Sequence, residues 1–335
     1  MNRTFKVVYN KARGALTVVN EATKSVQKAG TKTIAASAVM LALTTPVLAE
    51  DVPYTQDSGS RGYSATTADS KTMVFEEGKV LKMTITGQQD TRAYGLLATG
   101  EGAVYTNMGT IQTNLATGDD TTQAYRVKGM MADNGGKAVN KGLIEVTNAY
   151  GMTVGSTGKN TLENNGDITV NGGVAMEIAP TGVPETTAGN GAEASNDGTI
   201  TVTEGIGILM AGEEGAFTST GTINASGQTA VQIQAEDGKT TSGNSVTLAK
   251  ESKTSGDILI QGVAAQKPDV AANLVKGTSL VIEDGAEFDG RIIVGNATET
   301  LVQATVDFVG QASSNGGAIF FNDSTGTLDL SGSNF

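Results

Sequence analysis

The stretch Asn164-Asn165-Gly166-Asp167-Ile168-Thr169-Val170 decides the fold, because the chain keeps returning to it. It reads as a turn followed by a short alternating strand. The frame Asn-x-Gly-x-Ile-x-(Val/Thr) recurs at 107–113, 140–146 and 196–202, with looser copies at 219–225 and 254–260. Its glycines, Gly109, Gly142, Gly166, Gly198, Gly221 and Gly256, are separated by 33, 24, 32, 23 and 35 residues. We read the shorter spacing as the bare repeat and the longer one as the same repeat carrying a loop of roughly ten extra residues. The insertion at 180–194 has a loop's composition, with two prolines, three glycines and no apolar run.

A second short apolar run precedes each frame, at 94–97, 129–131, 150–154, 174–178 and 206–210. Each repeat therefore holds at least two short strands separated by turns. Ile168 and Val170 lie on one face of their strand, as do Ile200 and Val202. A single such strand buries almost nothing. Parallel copies stacked about 4.8 Å apart form a continuous apolar column. Glycine permits a tight corner, including positive φ. Asparagine tolerates left-handed geometry, and its amide bonds neighbouring backbone or a stacked asparagine in the next repeat. These features predict an all-β parallel β-helix. The competing fold is a β-sandwich, which the turn signals also allow. The fixed period and the short, aromatic-poor strands favour the helix.

Composition narrows the chemistry. The chain has 335 residues, 44 of them glycine, and no Cys, His or Trp. That excludes disulfides, thiolate nucleophiles, Ser-His-Asp and Cys-His catalysis, and metal sites built on Cys or His. Lys24, Lys28 and Lys32 precede an apolar core at 34–43 and a small-residue cleavage site ending Val47-Leu48-Ala49. These parts, in this order, make residues 1–49 a signal peptide, with cleavage after Ala49. Its apolar run is too short to span a bilayer. The segment holds seven of the 23 basic and one of the 35 acidic residues, leaving 16 and 34, a net charge of −18. So acidic a chain has no footprint for nucleic acid.

The signal is extended. Its start, Met1-Asn2-Arg3, Phe5, Lys6-Val7, Tyr9-Asn10, Ala12-Arg13-Gly14, Val18-Val19 and Glu21, closely resembles the extended signal peptide region of type V secretion proteins of Gram-negative bacteria. The resemblance implies Sec-dependent export, then delivery to or across the outer membrane. It implies the Sec machinery and an outer-membrane transporter barrel as partners, and a cell-surface or secreted location. The repeats likewise resemble classical autotransporter passengers, which implies a right-handed coil.

The expected organisation is a signal peptide at 1–49, a polar lead-in and cap strands at 50–90, and passenger repeats at 91–335 with no C-terminal membrane barrel. Residues 50–72 read as a mobile lead-in, and 73–86, with Gly78 at the turn, as a pair of strands. No catalytic, cofactor-binding or metal residue is assigned. The acid pairs Glu76-Glu77, Asp119-Asp120 and Glu213-Glu214 fall in predicted loops without an aromatic platform or an arginine cluster, so they read as solvated loop charge. Gly135-Gly136 and Gly172-Gly173 lack the rest of a calcium-binding nonapeptide. The expected function is that of an adhesin or structural interaction protein, not an enzyme, meeting its ligand through loops such as 180–194 and 236–254. A polysaccharide hydrolase or lyase on a β-helix is the alternative.

Overall fold

In the computed structural model the described residues are 5–10, 15–20, 53–55, 63–69, 71–85, 93–115, 127–155, 158–178, 191–234, 241–261, 275–295, 302–308, 319–321 and 325–329. The chain divides into two units, Met1–Thr45 and Pro46–Phe335. In the first, Phe5–Asn10 pairs antiparallel with Ala15–Asn20. The basic and apolar parts of the signal and the site after Ala49 lie outside the described residues.

The second unit is a parallel β-helix. A repeat has three strands. The first is a four-residue strand ending on the frame asparagine: Val104–Asn107, Lys137–Asn140, Thr161–Asn164, Glu193–Asn196. These stack in register as Asn107, Asn140, Asn164 and Asn196. The second strand follows the frame glycine, and the third carries the second apolar run. In Leu143–Val154, Asp167–Ile178 and Thr199–Met210 the second and third strands are continuous. The separate strands Thr110–Leu115 and Val127–Asp133 pair with the two halves of Leu143–Val154, which shows that one strand serves two successive faces. The chain bends between them at Asn148, Gly172, Gly173 and Gly205, all with positive φ.

Apolar columns from all three faces meet inside. The frame isoleucines Ile111, Ile144, Ile168, Ile200 and Ile223 are fully buried and paired in register. Leu96, Met130, Met152, Met176, Ile208 and Val231 form one column of the third face. The first face offers one core position per strand. Large and small residues alternate there, as Tyr105, Ala138, Leu162, Ala194 and Phe217. That alternation lets a large side chain fill the space beside a small one on the neighbouring layer.

The frame glycines are there for close approach. None of Gly109, Gly142, Gly166, Gly198 and Gly221 has positive φ, contrary to the tight-corner expectation. Each instead sits on the carbonyl below. A Cβ on Gly166 would lie 2.2 Å from the Gly142 oxygen, and one on Gly198 2.0 Å from the Gly166 oxygen. The same carbonyls accept the next coil's amides, Asp167 N–H to Gly142 at 2.9 Å and Thr199 N–H to Gly166 at 3.0 Å.

Four further expectations change. Residues 50–72 supply strands: Pro53–Thr55 pairs with Lys82–Thr84 and Tyr63–Asp69 with Ala93–Thr99, both parallel, so the ladder starts earlier than composition indicates. The strands around Gly78, Thr72–Phe75 and Val80–Ile85, do not pair with each other. They sit on different faces and pair with Val104–Asn107 and Thr110–Leu115. The last frame copy is out of register, because Thr222 pairs with Lys253. Ser252, not Gly256, therefore takes the glycine's place. Finally, much of 236–254 is ladder: Ser245–Leu248 pairs with Ala216–Ser219, and Lys253 begins the next strand. Beyond 261 the coil continues through Val275–Ile282, Ile292–Val294, Val302–Phe308, Ile319–Phe321 and Thr325–Asp329.

Candidate functional site

Three groups of polar side chains occupy definite places on this scaffold. The first is internal. Asn107 Nδ2 donates to Asn140 Oδ1 at 2.8 Å, Asn140 to Asn164 at 2.8 Å, and Asn164 to Asn196 at 2.7 Å. Asn196 donates to Ser219 Oγ at 3.2 Å. All are fully buried. The spare amide hydrogens of Asn140 and Asn196 reach the backbone carbonyls of Asp167 and Thr222. This stack is scaffold, as the frame predicts.

The second lies on the third face, directed away from the core. Met152, Val154, Met176 and Ile178 belong to the core, so Thr153 and Glu177 between them point to the other side. There Lys128 Nζ donates to Thr153 Oγ1 at 3.2 Å and to Glu177 Oε2 at 3.3 Å, and Thr153 Oγ1 donates to Glu177 at 2.7 Å. The Lys128 ammonium is also 6.0 Å from the centre of the Tyr150 ring. Lys128 and Glu177 are 8% and 4% exposed. Val174, Leu209 and Ala211 are buried as well, yet stand outside the core cluster. Glu177 pairs in register with the buried Leu209 on the next coil. Sequence reading missed this polar group because its three members lie 25 and 24 residues apart on successive coils.

The third is the outer side of the second face. Gln112, Asn114, Glu145, Thr147, Thr169, Asn171, Thr201 and Thr203, with Val146 and Val170 beneath, line an open groove of ≈ 400 Å³. The side chain of Gln112 donates to Glu145 Oε2, which fixes that carboxylate. These are the variable positions of the frame, so the frame itself carries the signal for this surface.

The two described acid pairs do not converge. Glu76 and Glu77 stand at the turn after the first strand of their coil, and Glu213 and Glu214 at the turn before Ala216–Ser219. Glu214 is exposed and adopts positive φ. Asp119 and Asp120 lie outside the described residues. Among the described residues no group of three or more acidic side chains is placed to hold a metal ion. Asp257 and Arg291 form a two-pronged ion pair across successive coils. Its guanidinium holds the Asp257 carboxyl below the usual aspartate range, and the carboxylate raises Arg291 in turn.

The second unit is thus a repeat protein of the parallel β-helix class. The family model described as the Extended Signal Peptide of Type V secretion system matches residues 1–49. The chain therefore carries a signal for autotransporter-type export, through Sec and then outer-membrane transport, to the cell surface or extracellular space. No curated protein and no solved structure matches the chain.

Proposed function

We propose that this protein is an autotransporter-type passenger that works by surface contact, as an adhesin or structural interaction protein, and that it is not an enzyme. The observation that carries this reading is the union of a type V export signal at residues 1–49 with a β-helix ladder that begins within a few residues of it. A coil of this kind presents long rows of side chains while its buried polar groups serve the scaffold. The lack of His and Cys and the separation of Glu76-Glu77 from Glu213-Glu214 support the non-catalytic reading. The signal is removed after Ala49, and an outer-membrane barrel completes delivery.

The test is export and adhesion in Gram-negative cells. Intact cells expressing the chain together with an outer-membrane transporter barrel should expose it to added protease, and the mature protein should begin at Glu50 by mass spectrometry. Those cells should adhere to epithelial cells or coated surfaces more than cells expressing a chain without residues 1–49. Measurable turnover of a polysaccharide, abolished by Glu213→Ala with Glu214→Ala or by Glu76→Ala with Glu77→Ala, would overturn the non-catalytic reading in favour of a hydrolase.

A further inference from the structure

The groove on the second face sets uncharged polar groups and one carboxylate on a carbon floor that includes Val146 and Val170. Core-facing Ile144, Val146, Ile168 and Val170 fix the strand orientation, so Glu145, Thr147, Thr169 and Asn171 project outward. With Gln112 and Thr201 they give a lining of hydroxyls, amides and one carboxylate; neither a lysine, an arginine nor an aromatic ring lines it. Coils repeat about every 4.8 Å, so the four coils of the groove present donor and acceptor groups over roughly 15 Å. Gln112 occupies one oxygen of Glu145, which leaves the other to accept a further hydrogen bond.

This lining selects among ligands. An anionic chain would meet Glu145 without a compensating cation, on a chain already strongly acidic. A cationic ligand would find one carboxylate, itself engaged by Gln112. An apolar peptide would find carbon surface only as threonine methyls, side-chain methylenes and the edges of Val146 and Val170, with no large apolar side chain to anchor it. A polyhydroxylated chain fits, because each of its hydroxyls both donates and accepts, as do the threonine hydroxyls and the paired faces of Asn and Gln amides. We propose that the groove between Gln112 and Thr201 binds a neutral glycan, held chiefly by Glu145, Thr169, Asn171 and Thr201. The proposal rests on the reading of the chain as a surface interaction protein.

The experiment is binding of the whole chain to immobilised oligosaccharides. One set comprises neutral oligomers of glucose, mannose, galactose and N-acetylglucosamine. The other comprises sialylated and sulfated glycans. The expected result is binding to at least one neutral oligomer, at least tenfold weaker for Thr201→Arg, which fills the groove, and for Glu145→Gln, which keeps the shape and removes the charge. Glu214→Arg, on a turn between the third and first faces, should bind as the parent does. Urea midpoints near the parent's establish that the variants are folded; should Thr201→Arg fold poorly, Glu145→Gln decides. Binding to no neutral oligomer, binding only to the charged glycans, or binding unchanged in both groove variants overturns the proposal. A chain that still mediates adhesion to cells or protein coats while ignoring neutral glycans fails here alone and leaves the adhesion reading standing.

Discussion

Both ends of the Asn164 amide are engaged inside the scaffold, its oxygen by Asn140 and its nitrogen by Asn196, at 2.8 and 2.7 Å. Asn164→Ala removes both bonds and strands the Asn196 oxygen away from water. We expect a loss of about 2–4 kcal/mol, because an unpaired buried polar group costs more than its hydrogen bond had contributed. A urea unfolding midpoint unchanged from the parent would sink this account of the stack. The opposite case is Thr254. It takes the place of the frame isoleucine, is 2% exposed, and its hydroxyl has no partner. Thr254→Val keeps the shape and removes the orphan, so the midpoint should rise by the equivalent of about 1 kcal/mol; a fall would mean that the hydroxyl is satisfied. At this scale the asparagine stack was legible, since only a short amide in a repeating register can donate upward and accept from below. The role of the frame glycine was not. Close approach and positive φ both select glycine, and the sequence looks the same for either; only the carbonyl under Gly166 distinguishes them.

Between elements, the ion pairs join coils far apart in the chain. Lys128 and Glu177 skip a coil, with Thr153 on the strand between them. Removing one partner leaves a buried charge alone, so Glu177→Ala should cost about 3–5 kcal/mol, whereas Lys128→Met combined with Glu177→Leu should cost far less. Urea unfolding of the two singles and the double forms the cycle, and singles that cost no more than the double would refute the pairing. Asp257 is half-buried and Arg291 exposed, and this pair behaves differently. The folded carboxyl titrates below its unfolded value, so its contribution is complete above the ordinary aspartate range near 3.9 and is lost as pH falls through the lower folded value. Thermal unfolding followed down through pH 4 should show a loss that Arg291→Gln reduces, and raised salt should shrink the difference between the two. An identical pH profile for both proteins would count against it. The second and third strands were readable from their apolar runs, but the first strand was not. It gives the core one side chain per coil, and that side chain swings from Tyr105 to Ala138, so no hydrophobic run announces it. The groove escaped for a related reason. Its residues are the frame's variable positions, and their adjacency exists only once the register is known.

For the β-helix as a whole, stability is close to a sum over neighbours, since the strands of each coil pair only with those above and below and the Lys128–Glu177 bridge is a local exception. That makes local breaks in the pattern consequential. The asparagine stack runs from Asn107 to Asn196, passes to Ser219, and ends at Leu248, which pairs with Ser219. In the same coil Ser252 replaces the frame glycine and Thr254 the isoleucine, and both hydroxyls are buried without a partner. The coil at 245–261 is therefore the weak layer between a well-cemented stretch below and the later coils. Opening of the later coils should then require less free energy than opening of the coils between Lys137 and Gln234. Native-state hydrogen exchange read peptide by peptide should show greater protection across 137–234 than across 253–294. Thr254→Val should raise protection in the second range and leave the first unaltered. Equal protection along both ranges in the parent protein would mean that the coils open as a single unit, and that the break in the frame has no energetic consequence.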